Sequence, residues 1–134
     1  MSASKINLNL HRLKDAFAGL LYLSESEYPF EVISFNASTG LEERLQAESS
    51  RGKTIAVRVV TLEQFFRNMT KVPSGSTPEL QHTAQQFQQL QQVLKEELQE
   101  VAVYMLGEIE IDAFILGKTG EGTYAGLRTK VIET

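Results

Sequence analysis

Hydrophobic residues recur with helical spacing near the start of the chain. Their steps of four and three residues form one stripe: Ile6, Leu10, Leu13, Phe17 and Leu20. This spacing predicts an amphipathic helix that buries one face and ends near Leu23. The polar stretch 24–29 closes with proline and is predicted to form a turn. The apolar run 30–35 that follows is typical of a strand.

The middle of the chain predicts short elements. A short helix is expected within 41–46, and a strand is expected over 54–60. Thr61 and Gln64 have the spacing of a capping box, in which each side chain accepts a hydrogen bond from the other residue's backbone. A second short helix, running through Phe66, is therefore expected directly after the strand.

A long helix is predicted in the second half of the chain. Thr77 suits the N-cap position, and Pro78 suits the first helical turn. An apolar stripe follows at helical spacing: Leu80, Ala84, Phe87, Leu90, Leu94 and Leu98. The opposite face is rich in Gln, which we interpret as a solvated helix surface.

The last third of the chain is predicted to be β-structure. Apolar and polar residues alternate over 104–116, and 124–132 is expected to fold back on this strand as an antiparallel hairpin. The glycine-rich loop 117–122 supplies the turn. Centring the turn on Gly120 gives three cross-strand pairs: Glu110 with Lys130, Asp112 with Arg128, and Phe114 with Gly126.

Length and composition indicate one domain, 1–134, of α/β (α+β) class. The chain has 134 residues, of which 42% are hydrophobic and 22% charged. Its net charge of −4 disfavours direct binding of nucleic acid and favours a basic partner. The chain lacks a signal-peptide pattern and an apolar run of membrane-spanning length, so a cytoplasmic location without membrane contact is expected.

Residues that could support catalysis are sparse. The chain has no Cys and two His, His11 and His82, which leaves little for a metal centre or a catalytic relay. Glu108, Glu110 and Asp112 could form a metal or acid–base cluster, but their predicted basic partners favour an exposed sheet face. These observations favour a protein that is not an enzyme and holds no cofactor, with an unrecognised enzyme as the remote alternative.

The acidic connection around Glu25 is the strongest candidate for function. It places the carboxylates of Glu25, Glu27 and Glu31 between a predicted helix and a predicted strand. Binding groups concentrate on such connections in many proteins. One of these carboxylates could reach a metal ion held by another protein, because hard cations prefer oxygen ligands. Alternatively, the acids only solvate the loop, and the residues by themselves leave both interpretations open.

Parts of the chain resemble the nuclease A inhibitor family. The residues that carry the likeness are GLLYLSESEYPFEV at 19–32, LGEIEID at 106–112, LGKT at 116–119 and AGLRTKVIET at 125–134. The order of the elements matches throughout, whereas the middle segment 36–76 matches poorly. The first motif is long and mostly ungapped, which makes the resemblance specific.

The resemblance implies a three-layer α/β/α sandwich around a small, mostly antiparallel sheet. It also implies inhibition of a Mg²⁺-dependent, non-specific DNA/RNA endonuclease of the ββα-metal type. The matching metal-binding residue is Glu25, which would reach the nuclease's Mg²⁺ in trans, in place of the scissile phosphate. Ser24, Ser26 and Glu27 flank it, and the C-terminal Thr134 with its free carboxylate would also lie in the interface.

One departure from the family pattern lies in the linker before the long helix. Members of the family carry an acidic residue followed by Trp there, and the corresponding positions here are Ser74 and Gly75 in a chain without Trp. Trp is a common anchor of protein interfaces, so the target of this chain could differ from the usual target of the family.

We expect a monomer that forms a one-to-one complex with a nuclease. The alternative is a regulatory or interaction module that keeps the fold and binds another protein.

Overall fold

The computed structural model describes residues 10–23, 26–36, 40–49, 57–71, 75–120 and 123–133. The helices are α1 (Leu10–Phe17), α2 (Leu41–Glu48), α3 (Leu62–Phe65), α4 (Arg67–Thr70) and α5 (Pro78–Glu97). The strands are β1 (Leu21–Leu23), β2 (Glu27–Pro29), β3 (Glu31–Asn36), β4 (Val57–Val60), β5 (Gln99–Leu106), β6 (Glu110–Gly120) and β7 (Thr123–Ile132). The mixed helix and strand content confirms the α+β class.

The strands form two antiparallel sheets. The larger sheet has the order β3-β7-β6-β5-β4, and the smaller one pairs β1 with β2. Each neighbouring pair of strands runs antiparallel. The predictions of a mostly antiparallel sheet and of a C-terminal hairpin, β6–β7, are therefore confirmed.

Both faces of the larger sheet carry helices. Residues of α1, α3, α4 and α5 pack on what we call the first face, in a cluster that includes Leu13, Phe65, Met69, Phe87 and Ile115. On the second face, α2 packs through Leu45 against Phe114. Neighbouring residues of β6 serve opposite faces because side chains alternate along a strand. The three layers of the α/β/α sandwich follow, with a much smaller helical layer on the second face.

The helix starts lie where the sequence predicts them. Thr61 and Gln64 form the capping box, with hydrogen bonds of 3.0 and 3.1 Å between each side chain and the other's backbone N–H. The Thr77 hydroxyl accepts a hydrogen bond from the backbone N–H of Leu80 at the start of α5. The stripe of α5 is buried from Ala84 onward, but Leu80 is 58% exposed. The prediction that Leu80 belongs to the buried stripe is wrong, because it lies in the first turn, ahead of the packed positions.

Helix α1 ends earlier than its periodicity predicts. The stripe predicts a helix to Leu23, but α1 ends at Phe17, whose carbonyl accepts a hydrogen bond from the backbone N–H of Leu20. Gly19 takes a φ of +76°, the left-handed conformation that commonly ends helices. Leu20 is still buried, although it now lies in the connection to β1. The apolar spacing therefore continues for a few residues beyond the helix itself.

The alternating stretch 104–116 belongs to two strands instead of one. β5 ends at Leu106 and β6 begins at Glu110, with Gly107 between them at a φ of +115°. A Cβ on Gly107 would lie 2.4 Å from the carbonyl oxygen of Glu110, so this position needs glycine. In both strands, the odd-numbered residues lie on the first face of the sheet. Because the alternation keeps its phase across the turn, the pattern does not reveal the turn.

The β6–β7 hairpin has a register two residues away from the predicted one. The observed pairs include Glu110 with Ile132, Asp112 with Lys130, Phe114 with Arg128, and Leu116 with Gly126. β6 continues through Gly120, four residues into the predicted loop 117–122, so the turn lies further along the chain than predicted. The guanidinium of Arg128 lies 5.4 Å from the centre of the Phe114 ring, where the sequence predicts a glycine. A shift of two residues leaves every side chain on its predicted face.

Candidate functional site

The acidic connection joins two paired strands. β1 and β2 form an antiparallel pair in which Leu23 lies opposite Glu27. Ser24 and Glu25 lie outside the described residues, while Ser26 is half-buried and Glu27 is exposed. The prediction of a turn over 24–29 is wrong for β2, which pairs with β1 over its whole length. The three residues 24–26 thus connect the two strands of a hairpin, called the β1–β2 hairpin below.

Tyr22 anchors the first strand of this hairpin in the core. Its hydroxyl donates a hydrogen bond of 2.8 Å to the carbonyl oxygen of Phe65 in α3. Its ring stacks on the Phe65 ring, with the ring centres 4.2 Å apart. Burial raises the pKa of Tyr22 to about 12, and the negative charge of Glu133 adds to the rise. The hairpin base is therefore attached to α3 by both a polar and an aromatic contact.

Thr129 and Phe30 anchor the second strand. The Thr129 hydroxyl in β7 donates a hydrogen bond of 2.9 Å to the carbonyl oxygen of Pro29. Phe30 directly follows β2, is buried, and meets the Tyr22 ring edge-on at 6.5 Å between ring centres. Both strands of the hairpin also pack against β7. The hairpin is thus held at its base from two sides.

The end of β7 lies beside the hairpin base. The backbone N–H of Glu133 donates a hydrogen bond of 2.9 Å to the carbonyl oxygen of Ile109, in the turn between β5 and β6. The Glu133 carboxylate lies 3.7 Å from the guanidinium of Arg58, and its charge also reaches Tyr22. Thr134 lies outside the described residues. The contacts of its neighbour Glu133 show that the end of β7, the β5–β6 turn and the base of the β1–β2 hairpin lie at the same end of the sheet.

Exposed carboxylates surround this end of the sheet. They belong to Glu27, Glu108, Glu110 and Glu133, which we call the acidic rim. Glu110 begins β6 directly opposite Ile132, and Glu27 begins β2, which runs toward Thr129. Among the described residues, Arg58 lies beside Glu133, and Lys130 lies opposite Asp112. The four carboxylates of the acidic rim therefore place negative charge at this end of the described sheet.

The linker ahead of α5 contains Ser74 and Gly75. Ser74 lies outside the described residues. Gly75 is exposed, with a φ of +84° and no atom within 4 Å of the position a Cβ would take. Ser76 follows, and its carbonyl accepts a hydrogen bond of 3.1 Å from the side chain of Gln81. Gly75 therefore makes a left-handed turn into the helix and presents no side chain.

Comparison with known families decides the assignment. The family model described as nuclease A inhibitor-like protein matches residues 8–134. The chain belongs to the nuclease A inhibitor-like family. No curated protein matches the chain. Membership in this inhibitor family supports a general role in nuclease inhibition, implies a nuclease as the partner and suggests binding rather than catalysis.

In this member of the nuclease A inhibitor-like family, the three acidic residues Glu108, Glu110 and Asp112 differ in their exposure to solvent. Asp112 is 3% exposed and accepts a hydrogen bond of 2.8 Å from the Ser49 hydroxyl at the end of α2. Glu108 and Glu110 are exposed. The prediction of an exposed sheet face is wrong for Asp112, because α2 covers it.

The described ranges contain no group of three or more His, Asp or Glu placed to hold a metal ion. Over the same ranges, no helix has the length and apolar character needed to span a membrane.

The sequence analysis does not predict that four residues position the β1–β2 hairpin. They are Tyr22, Phe65, Thr129 and Glu133. The strands themselves carry a signal, since the apolar segment 21–23 and the segment 27–29 flank three polar residues in the manner of a hairpin. Thr129 has no local signal, because its partner Pro29 lies about a hundred residues earlier in the chain.

Proposed function

We propose that this protein inhibits a Mg²⁺-dependent, non-specific DNA/RNA endonuclease of the ββα-metal type. Glu25 enters the active site of the nuclease and binds its Mg²⁺ where the scissile phosphate would bind. The proposal is carried by membership in the nuclease A inhibitor-like family over 8–134. The proposed complex is one-to-one, with a monomeric inhibitor, and the proposed location is the cytoplasm.

The anchoring of the β1–β2 hairpin supports this role. A loop that enters an active site binds more tightly when its supports are already ordered, because less conformational entropy is lost on binding. Here Tyr22 is hydrogen-bonded to Phe65 on one strand, and Pro29 is hydrogen-bonded to Thr129 on the other. The two strands that precede and follow residues 24–26 are therefore both anchored.

The charge of the surrounding surface supports the proposed partner. A nuclease cleft is basic because it binds phosphates, and the acidic rim of Glu27, Glu108, Glu110 and Glu133 has the opposite sign. Complementary charge raises the association rate and suppresses wrong orientations. The effect weakens at high salt because exposed charges are screened.

The proposed inhibition needs no chemistry from this chain. A carboxylate is a good ligand for Mg²⁺, which prefers oxygen donors. When Glu25 occupies the coordination position of the substrate oxygen, the nuclease loses the Lewis-acid step of hydrolysis. The hydroxyls of Ser24 and Ser26 flank the carboxylate and can hydrogen-bond to the nuclease, and Thr134, next to Glu133, is proposed to touch its surface.

A second candidate function is a regulatory module that keeps this fold and binds a different protein. The linker favours it, because Gly75 presents no side chain at the position where family members carry Trp. A missing aromatic anchor typically removes about 2 kcal/mol or more of binding free energy. The two candidates differ in whether a ββα-metal nuclease is bound.

The test is titration of the protein into a Mg²⁺-dependent ββα-metal nuclease that degrades plasmid DNA, with binding measured in parallel. The wild type is expected to stop cleavage near a one-to-one ratio. Glu25→Gln should weaken inhibition by about a hundredfold, since it removes a charged ligand of the metal. Glu42→Gln is the matched control, because Glu42 is exposed on α2, on the second face of the sheet. Both variants should melt within about 2 °C of the wild type, as surface substitutions usually do.

The outcomes separate mechanism from function. Equal inhibition by the wild type and by Glu25→Gln would refute metal binding by Glu25 and leave inhibition standing. Absence of both inhibition and binding at large excess of the wild type would refute this nuclease class as the target. That result would favour the second candidate.

A further inference from the structure

We propose that the β5–β6 turn, residues 107–109, together with Glu110 at the start of β6, is a second contact point for the nuclease, with Ile109 as its apolar anchor. The inference rests on the proposed function and extends it from the hairpin to a separate turn. The partner surface it fits is an apolar depression bordered by basic residues.

Ile109 is one of the most exposed large apolar side chains in the described ranges. It leaves 59% of its surface accessible, and the other large apolar side chains with high exposure in the described ranges are Leu21, Val59 and Leu80. Single exposed apolar residues are common on proteins, so exposure alone does not mark a contact. What distinguishes Ile109 is the structure around it.

A close backbone approach and a hydrogen bond constrain the turn that carries Ile109. Gly107 has a φ of +115°, and a Cβ there would lie 2.4 Å from the carbonyl oxygen of Glu110. The carbonyl oxygen of Ile109 itself accepts a hydrogen bond of 2.9 Å from the backbone N–H of Glu133. An apolar side chain on a fixed turn contributes more to binding than one on a mobile loop, because less entropy is lost.

The location of the turn gives the chemistry of its partner. Through Glu133 the turn is tied to the end of β7, beside the base of the β1–β2 hairpin. Glu108 and Glu110 flank Ile109 and belong to the acidic rim. An apolar side chain surrounded by carboxylates matches the arrangement of interface hot spots, with a desolvated centre and a charged rim. A surface that binds phosphates supplies the complementary positive charge.

The test measures binding kinetics to the Mg²⁺-loaded nuclease for the wild type, Ile109→Ala and Glu108→Gln. Val59→Ala is the matched control, because Val59 is 56% exposed but lies in the edge strand β4. Ile109→Ala should weaken binding at least about tenfold, mainly through faster dissociation. Val59→Ala should stay within about twofold of the wild type. Glu108→Gln should slow association about two- to fivefold at low salt, and the difference should shrink as salt rises.

Each outcome decides a different claim. If the wild type binds and Ile109→Ala binds equally well, the turn is not a contact point and the proposed function is unaffected. Equal losses for Ile109→Ala and Val59→Ala would also overturn the proposal, since the effect would not be specific to the turn. If the wild type does not bind the nuclease at all, the proposed function fails and this inference fails with it. Melting curves for all variants exclude loss of the fold as the cause.

Discussion

The Tyr22 hydroxyl offers a direct test of how the β1–β2 hairpin is held. Tyr22→Phe removes the hydrogen bond of 2.8 Å to the carbonyl oxygen of Phe65 and keeps the aromatic ring. The ring stack with Phe65 at 4.2 Å is therefore expected to survive. The lost bond and the unsatisfied carbonyl should together cost about 1–2 kcal/mol of the free energy of unfolding at pH 7.

The same substitution has a second effect at alkaline pH. Burial and then the charge of Glu133 raise the pKa of Tyr22 from 10.0 to about 12 in the folded protein. Below pH 10 both states are protonated, so Tyr22 adds no pH dependence. Between pH 10 and 12 the unfolded chain loses this proton while the folded chain keeps it, and the free energy of unfolding falls. The loss amounts to roughly 2 kcal/mol by pH 12.

Tyr22→Phe lacks this alkaline loss. The wild type should therefore be the more stable protein at pH 7, and the gap should close or reverse as pH approaches 12. Urea unfolding followed by circular dichroism at several pH values between 7 and 12 measures both quantities. Tyr104→Phe is the reference, because burial also raises the pKa of Tyr104 but that side chain is half-exposed.

One result would refute the reasoning. If the difference in unfolding free energy between the wild type and Tyr22→Phe stays constant from pH 8 to pH 12, the Tyr22 hydroxyl is not shielded from solvent as described. A stability loss at pH 7 smaller than that of Tyr104→Phe would refute the anchoring role of the hydrogen bond.

Further predictions concern the stability of four variants. Gly126→Ala should cost about 3 kcal/mol or more, because its Cβ would lie 1.8 Å from the carbonyl oxygen of Ile115. Gly75→Ala, at a φ of +84° in open space, should cost about 1 kcal/mol of the free energy of unfolding. If urea unfolding shows Gly75→Ala to be less stable than Gly126→Ala, the register of the β6–β7 hairpin is contradicted. Thr129→Val should cost about 1 kcal/mol and raise the amide exchange rate in β1 and β2, since it removes the bond to Pro29; unchanged exchange would show that the hairpin is held elsewhere. Thr61→Ala should cost about 1 kcal/mol in thermal melting by removing the capping box of α3, whereas Thr61→Ser should restore most of it.

The family motif and the short-range signals were readable from the sequence because each depends on residues close together in the chain. The capping box of Thr61 and Gln64, the N-cap Thr77 and the buried stripe from Ala84 onward all appear where predicted. The β6–β7 hairpin was predictable for the same reason, as two alternating segments around a glycine-rich loop. The stretch GLLYLSESEYPFEV pointed to the family that the comparison then showed.

Boundaries and registers were harder to predict because periodicity continues through them. The apolar stripe of α1 continues past Phe17 because Leu20 is buried in the connection to β1. The alternation over 104–116 keeps its phase across the turn at Gly107. The hairpin register differs from the predicted one because β6 continues through Gly120, into the glycine-rich segment that predicts the loop. The candidate site was thus predicted as a segment, but not as a hairpin.

By itself, the sequence determined the class of the elements, the family and the acidic segment around Glu25, because these are properties of neighbouring residues. Only the tertiary structure decided which surfaces meet. It buries Asp112 under α2, ties Glu133 to the β5–β6 turn, and attaches Tyr22 and Pro29 to residues far along the chain. The physical reason is that hydrogen bonds and ring contacts between distant segments depend on the packed arrangement of the whole sheet, which local spacing does not encode.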